Sequence, residues 1–342
     1  MSSKNTKSAQ AAQRPSSKKP SPTEPLLDVR DLKVAYLTKR GPVKAVDGVS
    51  FSIRPGEVVG LAGESGSGKS TIAHAILRIL HPPALITNGQ VLFQGEDILE
   101  MDEARLEQFR WSKVSIVFQS AMNALNPVMK IRDQLTDVML NHGLTKEESA
   151  KRAVELFNLV GIDPRRLDAY PHQLSGGMRQ RAVIAIALAL NPPLLIMDEP
   201  TTALDVVVQK DILEQISSLR EKLGFSILFI THDLSLLVEI STHIAITYAG
   251  EIVEHAPARE LFENPLHPYT LGLMNSFPSI SGSKHKLTGI PGSPPDLVSP
   301  PTGCRFHPRC PKAMAVCSQT VPARKQITAD HSVSCHLFDQ YQ

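Results

Sequence analysis

Residues 63–70 read Gly63-Glu64-Ser65-Gly66-Ser67-Gly68-Lys69-Ser70, a complete G-x-x-x-x-G-K-S/T pattern. Glycines at this spacing let backbone N–H groups close around phosphate oxygens, Lys69 neutralises the β- and γ-phosphates, and the Ser70 hydroxyl is a Mg²⁺ ligand. The apolar residues 58–62 suit a buried strand, and residues 71–80 suit a helix whose N-terminus faces the anion. A surface turn rich in Gly and Ser is the alternative, but it would not explain the flanking strand and helix. We therefore predict that residues 63–70, here called the phosphate loop, bind a nucleoside triphosphate.

Length and composition indicate a globular protein without a membrane span of its own. The chain has 342 residues, 42% of them hydrophobic, and a formal net charge of +2. Its longest clean apolar run, residues 182–190, is well short of the roughly 18 residues that cross a bilayer. The basic N-terminus has no apolar core behind it, so we expect no secretory signal and a cytosolic location. The near-neutral charge does not suggest nucleic acid as a partner.

The chain divides into three stretches of different composition. Residues 1–25 are rich in Ser, Lys, Pro and Gln and are expected to form a disordered basic tail. Alternating strand patterns begin near Leu26, helical patterns dominate residues 131–190, and short apolar runs then return. Proline and glycine finally become dense, which indicates a separate appendage. We predict one domain at residues 26–262 and the appendage at 263–342.

Three apolar runs each end in polar residues. Residues 58–62 lead into the phosphate loop, residues 194–197 into Asp198-Glu199, and residues 226–230 into Thr231-His232-Asp233. In parallel α/β sheets, ligands bind beyond the carboxyl ends of the strands. We therefore expect an α/β fold in which the three polar clusters converge on one nucleotide.

One further segment connects these features to a family. Residues 174–181 read Leu174-Ser175-Gly176-Gly177-Met178-Arg179-Gln180-Arg181, which resembles the signature segment of ATP-binding-cassette (ABC) ATPases. The other motifs occur in the family's order. Tyr36 resembles the aromatic residue on which the adenine lies, and Gln119 resembles the Q-loop. Further along the chain, Asp198-Glu199 resembles the Walker B motif, Ala203-Leu204-Asp205 the D-loop and His232 the switch histidine. The resemblance is specific because independent motifs agree in identity and order from about Leu26 to Leu261.

The resemblance implies the architecture of an ABC nucleotide-binding domain. That fold is α/β, with a RecA-like parallel-sheet core, an antiparallel β subdomain and a helical subdomain at about residues 128–190. A small, irregular, cysteine-containing extension would follow at the C-terminus.

The resemblance also implies which residues hold ATP and Mg²⁺. The phosphate loop and the adjoining Thr71 would bind the phosphates, and Tyr36 would lie against the adenine. Asp198 would hold Mg²⁺ through water, while Ser70 and Gln119 complete the oxygen shell of the metal.

The remaining motif residues are implied to act in hydrolysis and dimer closure. Glu199 would position and polarise the attacking water, and His232 would stabilise the γ-phosphate as charge develops. Ser175 and the N–H groups of Gly176 and Gly177 open a helix and would form a second phosphate site. In the family this site closes on the nucleotide of a partner ATPase, and Asp205, in the D-loop match, is a further implied nucleotide-binding residue.

Two further features are similar to the oligopeptide/dipeptide importer subgroup. Met178 stands where the general family pattern has Gln, and residues 264–270 and 303–311 are similar to this subgroup's tail. The resemblance implies an ATP-hydrolysing subunit that energises peptide uptake from the cytoplasmic face of the membrane. Its implied partners are two membrane permeases, a second and different ATPase chain, and an extracytoplasmic solute-binding protein.

All four cysteines lie near the C-terminus, with the spacing C-x5-C-x6-C-x17-C, at Cys304, Cys310, Cys317 and Cys335. Disulfides are disfavoured in a cytosolic ATPase, and the spacing is wider than that of usual zinc pairs. We favour a 4Fe–4S cluster held by these cysteines, because the resembled subgroup carries such a cluster in this region. Zinc, or free or paired thiols, are the alternatives. Nearby Arg305, Arg309 and Lys312 could offset the negative charge of a cluster.

Two other classes of function compete with the transporter. One is a soluble ABC ATPase that acts on nucleic acid or ribosomes, although this chain lacks the coiled-coil insertion or second cassette usual in such proteins. The other is a metal- or redox-sensing ATPase that regulates a partner through its cysteines. The identity of the solute does not follow from these motifs, because solute contacts lie in other subunits.

Overall fold

The computed structural model describes residues 24–119, 124–202, 205–276 and 289–340. Most of the predicted basic tail at residues 1–25, and the D-loop residues Ala203 and Leu204, lie outside these ranges. No helix within these ranges is both long and apolar enough to cross a membrane.

The described strands form two sheets. In chain order they are β1 (Leu27–Thr38), β2 (Gly41–Ile53), β3 (Val58–Ala62), β4 (Ala84–Phe93), β5 (Glu96–Asp97), β6 (Val114–Val117), β7 (Leu194–Asp198), β8 (Ser226–Ile230), β9 (His243–Tyr248), β10 (Glu251–Pro257), β11 (Arg324–Gln326) and β12 (Ser332–Ser334). A four-stranded antiparallel sheet has the order β2-β1-β4-β5, and an eight-stranded sheet has the order β11-β12-β10-β9-β3-β8-β7-β6.

Most helices alternate with the strands along the chain, and three of them form a separate cluster. They are α1 (Lys69–Ile76), α2 (Glu103–Phe109), α3 (Ile131–Asn141), α4 (Lys146–Leu159), α5 (Gly176–Ala187), α6 (Val206–Leu223), α7 (Leu234–Ile240), α8 (Ala258–Glu263) and α9 (Pro268–Met274). The cluster consists of α3, α4 and α5, which pack around buried side chains such as Met139 and Phe157. A capping box at Thr145 and Glu148 fixes the start of α4.

The three apolar runs of the sequence become neighbouring parallel strands. Every residue of β3, β7 and β8 is buried, as expected where a parallel sheet is covered on both faces. Strand β3 lies between β8 and β9, and β7 lies on the other side of β8. Their carboxyl ends therefore meet at one edge of the sheet, as the sequence predicted.

The C-terminal lobe, defined here as residues 289–340, is joined to the larger sheet. Its strand β12 pairs with β10, where Glu254 faces Val333. The buried carboxylate of Glu254 accepts hydrogen bonds from the N–H groups of Leu266 and His267 and lies 2.8 Å from Nε2 of His331. The sequence predicted a separate appendage, whereas β11 and β12 extend the main sheet. Strands of three residues carry too little alternation to be recognised from sequence.

Candidate functional site

The phosphate loop joins the carboxyl end of β3 to the first residue of α1. Gly63 has φ +153° and Gly68 has φ +100°. A Cβ atom at Gly63 would lie 2.2 Å from the carbonyl oxygen of Thr247, and one at Gly68 would lie 2.3 Å from that of Ala45. Both positions therefore require glycine. The first N–H groups of a helix have no partner within the helix, so the start of α1 favours an anion at the loop.

Lys69 is the cation of this loop. Its Nζ donates hydrogen bonds to the carbonyl oxygens of Gly63 at 2.8 Å and Glu64 at 2.9 Å. Burial lowers the pKa of the Lys69 ammonium, while the nearby carboxylates of Glu199, Asp198 and Glu64 oppose that shift. Burial and the surrounding acidic groups thus act in opposite directions on the pKa of this ammonium.

Asp198 ends β7 and is buried beside Ser70. Burial raises the pKa of the Asp198 carboxyl, and a hydrogen bond with the Ser70 side chain opposes the shift. Its Oδ1 atom has no hydrogen-bond partner among the described residues. A buried carboxylate oxygen in this condition is costly unless something binds it. Its chemistry fits the oxygen shell of Mg²⁺.

Glu199 follows Asp198 with a left-handed backbone, at φ +50°. Such a conformation is uncommon outside glycine and is concentrated at functional sites. The Glu199 carboxylate accepts a hydrogen bond from the Thr202 hydroxyl at 2.9 Å, and both of its oxygens lie 2.9 Å from Nδ1 of His232. Glu199 directly follows β7 and His232 follows β8, so the ends of two neighbouring strands bring the carboxylate and the imidazole together.

These groups surround one cavity of about 490 Å³, lined by Ser65, Gly66, Gly68, Lys69, Ser70, Thr71, Gln119, Glu199, Thr202 and His232. The structure brings together residues predicted from three separate parts of the sequence. The sequence analysis missed Thr202, which stands three residues after Glu199. The available signal was the hydroxyl pair Thr201-Thr202 directly after the Walker B motif.

Three predicted residues support the cavity from its edges. Gly63 and Ser67 lie toward the sheet, where the Ser67 hydroxyl is 2.8 Å from that of Thr247. The half-buried Tyr36 places its hydroxyl 3.3 Å from the hydroxyl of Thr71. This contact attaches the antiparallel sheet to α1, and the adenine role of Tyr36 remains a prediction.

The signature segment lies outside the described cavity lining. Ser175 caps α5, where its exposed hydroxyl accepts a hydrogen bond from the Met178 N–H at 3.3 Å. Asp205 caps α6 in the same way, with its carboxylate 3.0 Å from the Val208 nitrogen. Neither these residues nor Gly176 and Gly177 are among the residues lining the chain's own cavity.

The four C-terminal cysteines are free thiols that interact electrostatically with one another. Burial raises the pKa of the Cys304 thiol to about 11 and also raises the pKa values of Cys310 and Cys335. Within the described ranges, no group of three or more Cys, His, Asp or Glu side chains is arranged to hold a metal ion. The arrangement of these side chains therefore does not support the predicted metal site.

Two of the three basic residues near the cysteines are engaged elsewhere, while Lys312 interacts electrostatically with Cys310. Arg305 pairs with Asp47 and Glu251, and Arg309 pairs with Glu64 of the phosphate loop. The interpretation of these two arginines as counter-charges for a cluster is therefore wrong, since their charges are matched by carboxylates of the ATPase domain.

Comparison with known proteins identifies the family of this arrangement. Residues 46–202 match the model of the ABC transporter family, and residues 253–317 match that of the oligopeptide/dipeptide transporter C-terminal region. The dipeptide transport ATP-binding protein DppD of Caldanaerobacter subterraneus subsp. tengcongensis is 41% identical over 92% of this chain and 98% of its own length. The oligopeptide transport ATP-binding protein OppD of Bacillus subtilis is 44% identical over 91% of this chain and 88% of its own.

Solved structures agree with the fold. The dimeric MJ0796 bacterial ABC transporter cassette is 29% identical, with a TM-score of 0.61 over 68% of this chain and 99% of that one. The cbiO1 subunit from Clostridium perfringens is 27% identical, with a TM-score of 0.62 over 70% of this chain and 91% of that one. The predicted α/β cassette fold is thereby confirmed. The chain belongs to the ABC transporter family, within the ATPase subunits of its oligopeptide/dipeptide importer subgroup.

Proposed function

We propose that the cavity around Lys69 and Glu199 is the ATP site through which this chain, an ATPase subunit of a peptide importer, energises uptake. The observation that carries the proposal is the convergence of the phosphate loop, Glu199 and His232 on one cavity. The names of the relatives DppD and OppD, which specify dipeptide and oligopeptide transport, support peptides as the solute.

Each residue has a role that its position supports. The phosphate loop and Lys69 would bind the phosphates, and Tyr36 would lie against the adenine. Asp198, Ser70 and Gln119 would hold Mg²⁺, which when bound neutralises phosphate charge. The Oδ1 atom of Asp198, which has no hydrogen-bond partner in the described part of the chain, supports this ligand set.

Hydrolysis requires a water molecule oriented toward the γ-phosphate. Glu199 accepts hydrogen bonds from Thr202 and His232, which restrict its carboxylate to one orientation. A carboxylate held in this way can align the attacking water and accept its proton. His232 also lines the cavity, so its imidazole would stand beside the γ-phosphate.

We also propose that the active assembly contains a second ATPase chain, different from this one. Ser175, Gly176, Gly177 and Asp205 are absent from the described lining of the chain's own cavity, so they are available to a partner's nucleotide. The MJ0796 cassette, whose structure is dimeric, supports such closure. Two permeases would anchor the pair peripherally at the cytoplasmic face of the membrane, and a solute-binding protein would deliver the peptide outside.

Affinity purification tests this assembly. The tagged full-length chain, purified from detergent-solubilised membranes of its own organism, is expected to retain two permeases and a second ATPase. Mass spectrometry identifies the chains, and purification from the soluble fraction is the control. Recovery of ribosomes or nucleic acid in place of permeases would establish the competing class of soluble ABC ATPase.

The four-cysteine segment carries a finer proposal. We propose that Cys304, Cys310, Cys317 and Cys335 are the ligands of a 4Fe–4S cluster, which could supply electron transfer or structural cross-linking when bound. Their nearness to one another and their lack of disulfides support the proposal. Zinc is the alternative ligand of the same four thiols.

Anaerobic purification is expected to give brown protein containing iron and sulfide in similar amounts. Cys335→Ser should bleach the protein, because one of the four thiolate ligands is lost. Ser318→Ala, next to Cys317, is the matched control and should keep the colour. Visible absorption and metal analysis make the measurement. Stoichiometric zinc without iron, or four free thiols without metal, would reject the cluster.

A further inference from the structure

The C-terminal lobe makes direct contact with the phosphate loop. The guanidinium of Arg309 donates two hydrogen bonds to the Glu64 carboxylate, from Nη1 to Oε2 at 2.7 Å and from Nη2 to Oε1 at 2.9 Å. This bidentate geometry is the strongest form of arginine–carboxylate contact. Glu64 is the second residue of the phosphate loop, while Arg309 lies 245 residues further along the chain.

Other contacts hold Arg309 firmly in this position. Its Nε donates to the carbonyl oxygen of Pro291 at 2.8 Å, and its guanidinium lies 5.7 Å from the ring centre of Tyr248. Only 6% of its side chain is exposed. A buried arginine with three fixed partners can hold a loop in place, whereas an exposed one adds little.

A tyrosine secures the backbone of the same loop residue. The N–H of Glu64 donates to the hydroxyl of the fully buried Tyr269, at 2.9 Å. Tyr269 lies in α9 and packs against Phe306, three residues before Arg309. Tyr269 and Arg309, which both come from later parts of the chain, thus hold the main chain and the side chain of Glu64.

The charge of Glu64 makes this contact relevant to ATP binding. Its carboxylate interacts electrostatically with the Lys69 ammonium, and the Glu64 carbonyl oxygen accepts a hydrogen bond from the same group. An unpaired carboxylate here would repel the phosphates and compete for Lys69. The guanidinium of Arg309 offsets this negative charge.

We propose that Arg309 is a positioning residue for ATP binding, which holds Glu64 and neutralises it so that the phosphate loop accepts triphosphate. The C-terminal lobe is then a working part of the ATP site. This inference rests on the proposed assignment of the phosphate loop as that site.

The test compares ATP affinities of full-length variants by titration with a fluorescent ATP analogue. Arg309→Met is expected to raise the dissociation constant about tenfold, because it removes a charge-assisted pair beside the phosphates. Adding Glu64→Gln to Arg309→Met should restore affinity to within about threefold of wild type, because the repelling charge is gone. A purely structural role for Arg309 would show no such rescue.

Arg305→Met is the matched control. Arg305 lies in the same lobe with 7% of its side chain exposed, but its partners Asp47, Ala249 and Glu251 are outside the phosphate loop. The Arg305→Met variant should lower the melting temperature about as much as Arg309→Met does. Its dissociation constant for the ATP analogue should stay within about twofold of the wild-type value. If Arg309→Met does not fold, Arg309→Lys serves instead, since it keeps the charge but loses the fork, and about threefold weaker binding is expected.

Three results would overturn the proposal: unchanged affinity in the Arg309 variant, no rescue by Glu64→Gln, or an equal loss of affinity in Arg305→Met. Lys69→Ala separates this failure from that of the site assignment. If Lys69→Ala leaves ATP binding intact, the phosphate loop is not the ATP site. If it weakens binding while the Arg309 variant does not, only the role of Arg309 is rejected.

Discussion

Glu199→Gln is expected to bind ATP normally and to lose at least about a hundredfold of ATP turnover, because positioned acid–base groups contribute roughly 10²–10⁴-fold. The change keeps the shape of the side chain and its contacts with Thr202 and His232 but removes the carboxylate that accepts a proton from water. ATP that is bound but not hydrolysed should also keep two ATPase subunits closed together. Phosphate release and size-exclusion chromatography with Mg²⁺ and ATP measure the two effects.

A second glutamate–histidine pair provides the control. Glu57 lies 2.7 Å from Nδ1 of His243, just before β3 and at the opposite end of that strand from the phosphate loop. Glu57→Gln removes a carboxylate that lies beside an imidazole outside the cavity and should preserve ATP turnover. Retention of more than about a tenth of wild-type turnover by Glu199→Gln would reject its catalytic role.

Ser175→Arg is expected to leave ATP binding by the isolated chain intact and to lower turnover of the assembled ATPase pair about a hundredfold. Ser175 lies on the surface at the start of α5, outside the described lining of the chain's own cavity. A long cation there would obstruct the helix terminus that we propose contacts the partner's nucleotide, and lost phosphate donors are costly to catalysis.

In a pair of different chains, the loss should appear at the nucleotide held by the partner. Ser175→Ala is the matched control, because it removes the hydroxyl cap at about 1 kcal/mol without adding bulk or charge. It should lower turnover much less than Ser175→Arg. Loss of ATP binding by the isolated Ser175→Arg chain would contradict the proposed action across the dimer.

The phosphate loop and the neighbouring strands could be predicted because local physics specifies them. A continuous apolar run such as β3 suits a strand buried on both faces, and Gly63 and Gly68 occupy backbone positions that a Cβ would block. The rule that parallel strands end at a common edge then places Glu199 and His232 near Lys69. Local pattern and one rule of topology were sufficient for this part of the site.

The cysteine segment shows where such reasoning stops. Four cysteines close in sequence indicated a metal site, but their burial and arrangement depend on the residues that pack around them. The neighbouring arginines likewise looked like counter-charges for a cluster until the structure paired them with Asp47, Glu251 and Glu64. Spacing alone does not specify what surrounds a side chain.

The sequence by itself therefore determined the α/β cassette, the phosphate loop and the chemical groups that face it. Only the tertiary structure decided that Thr202 supports Glu199, that β12 extends the main sheet, and that Arg309 reaches Glu64 from 245 residues away. The reason is physical. Backbone conformation and strand burial follow from residues near in sequence. These contacts form only when distant segments pack together, and no local sequence pattern in one partner indicates which residue the other partner is.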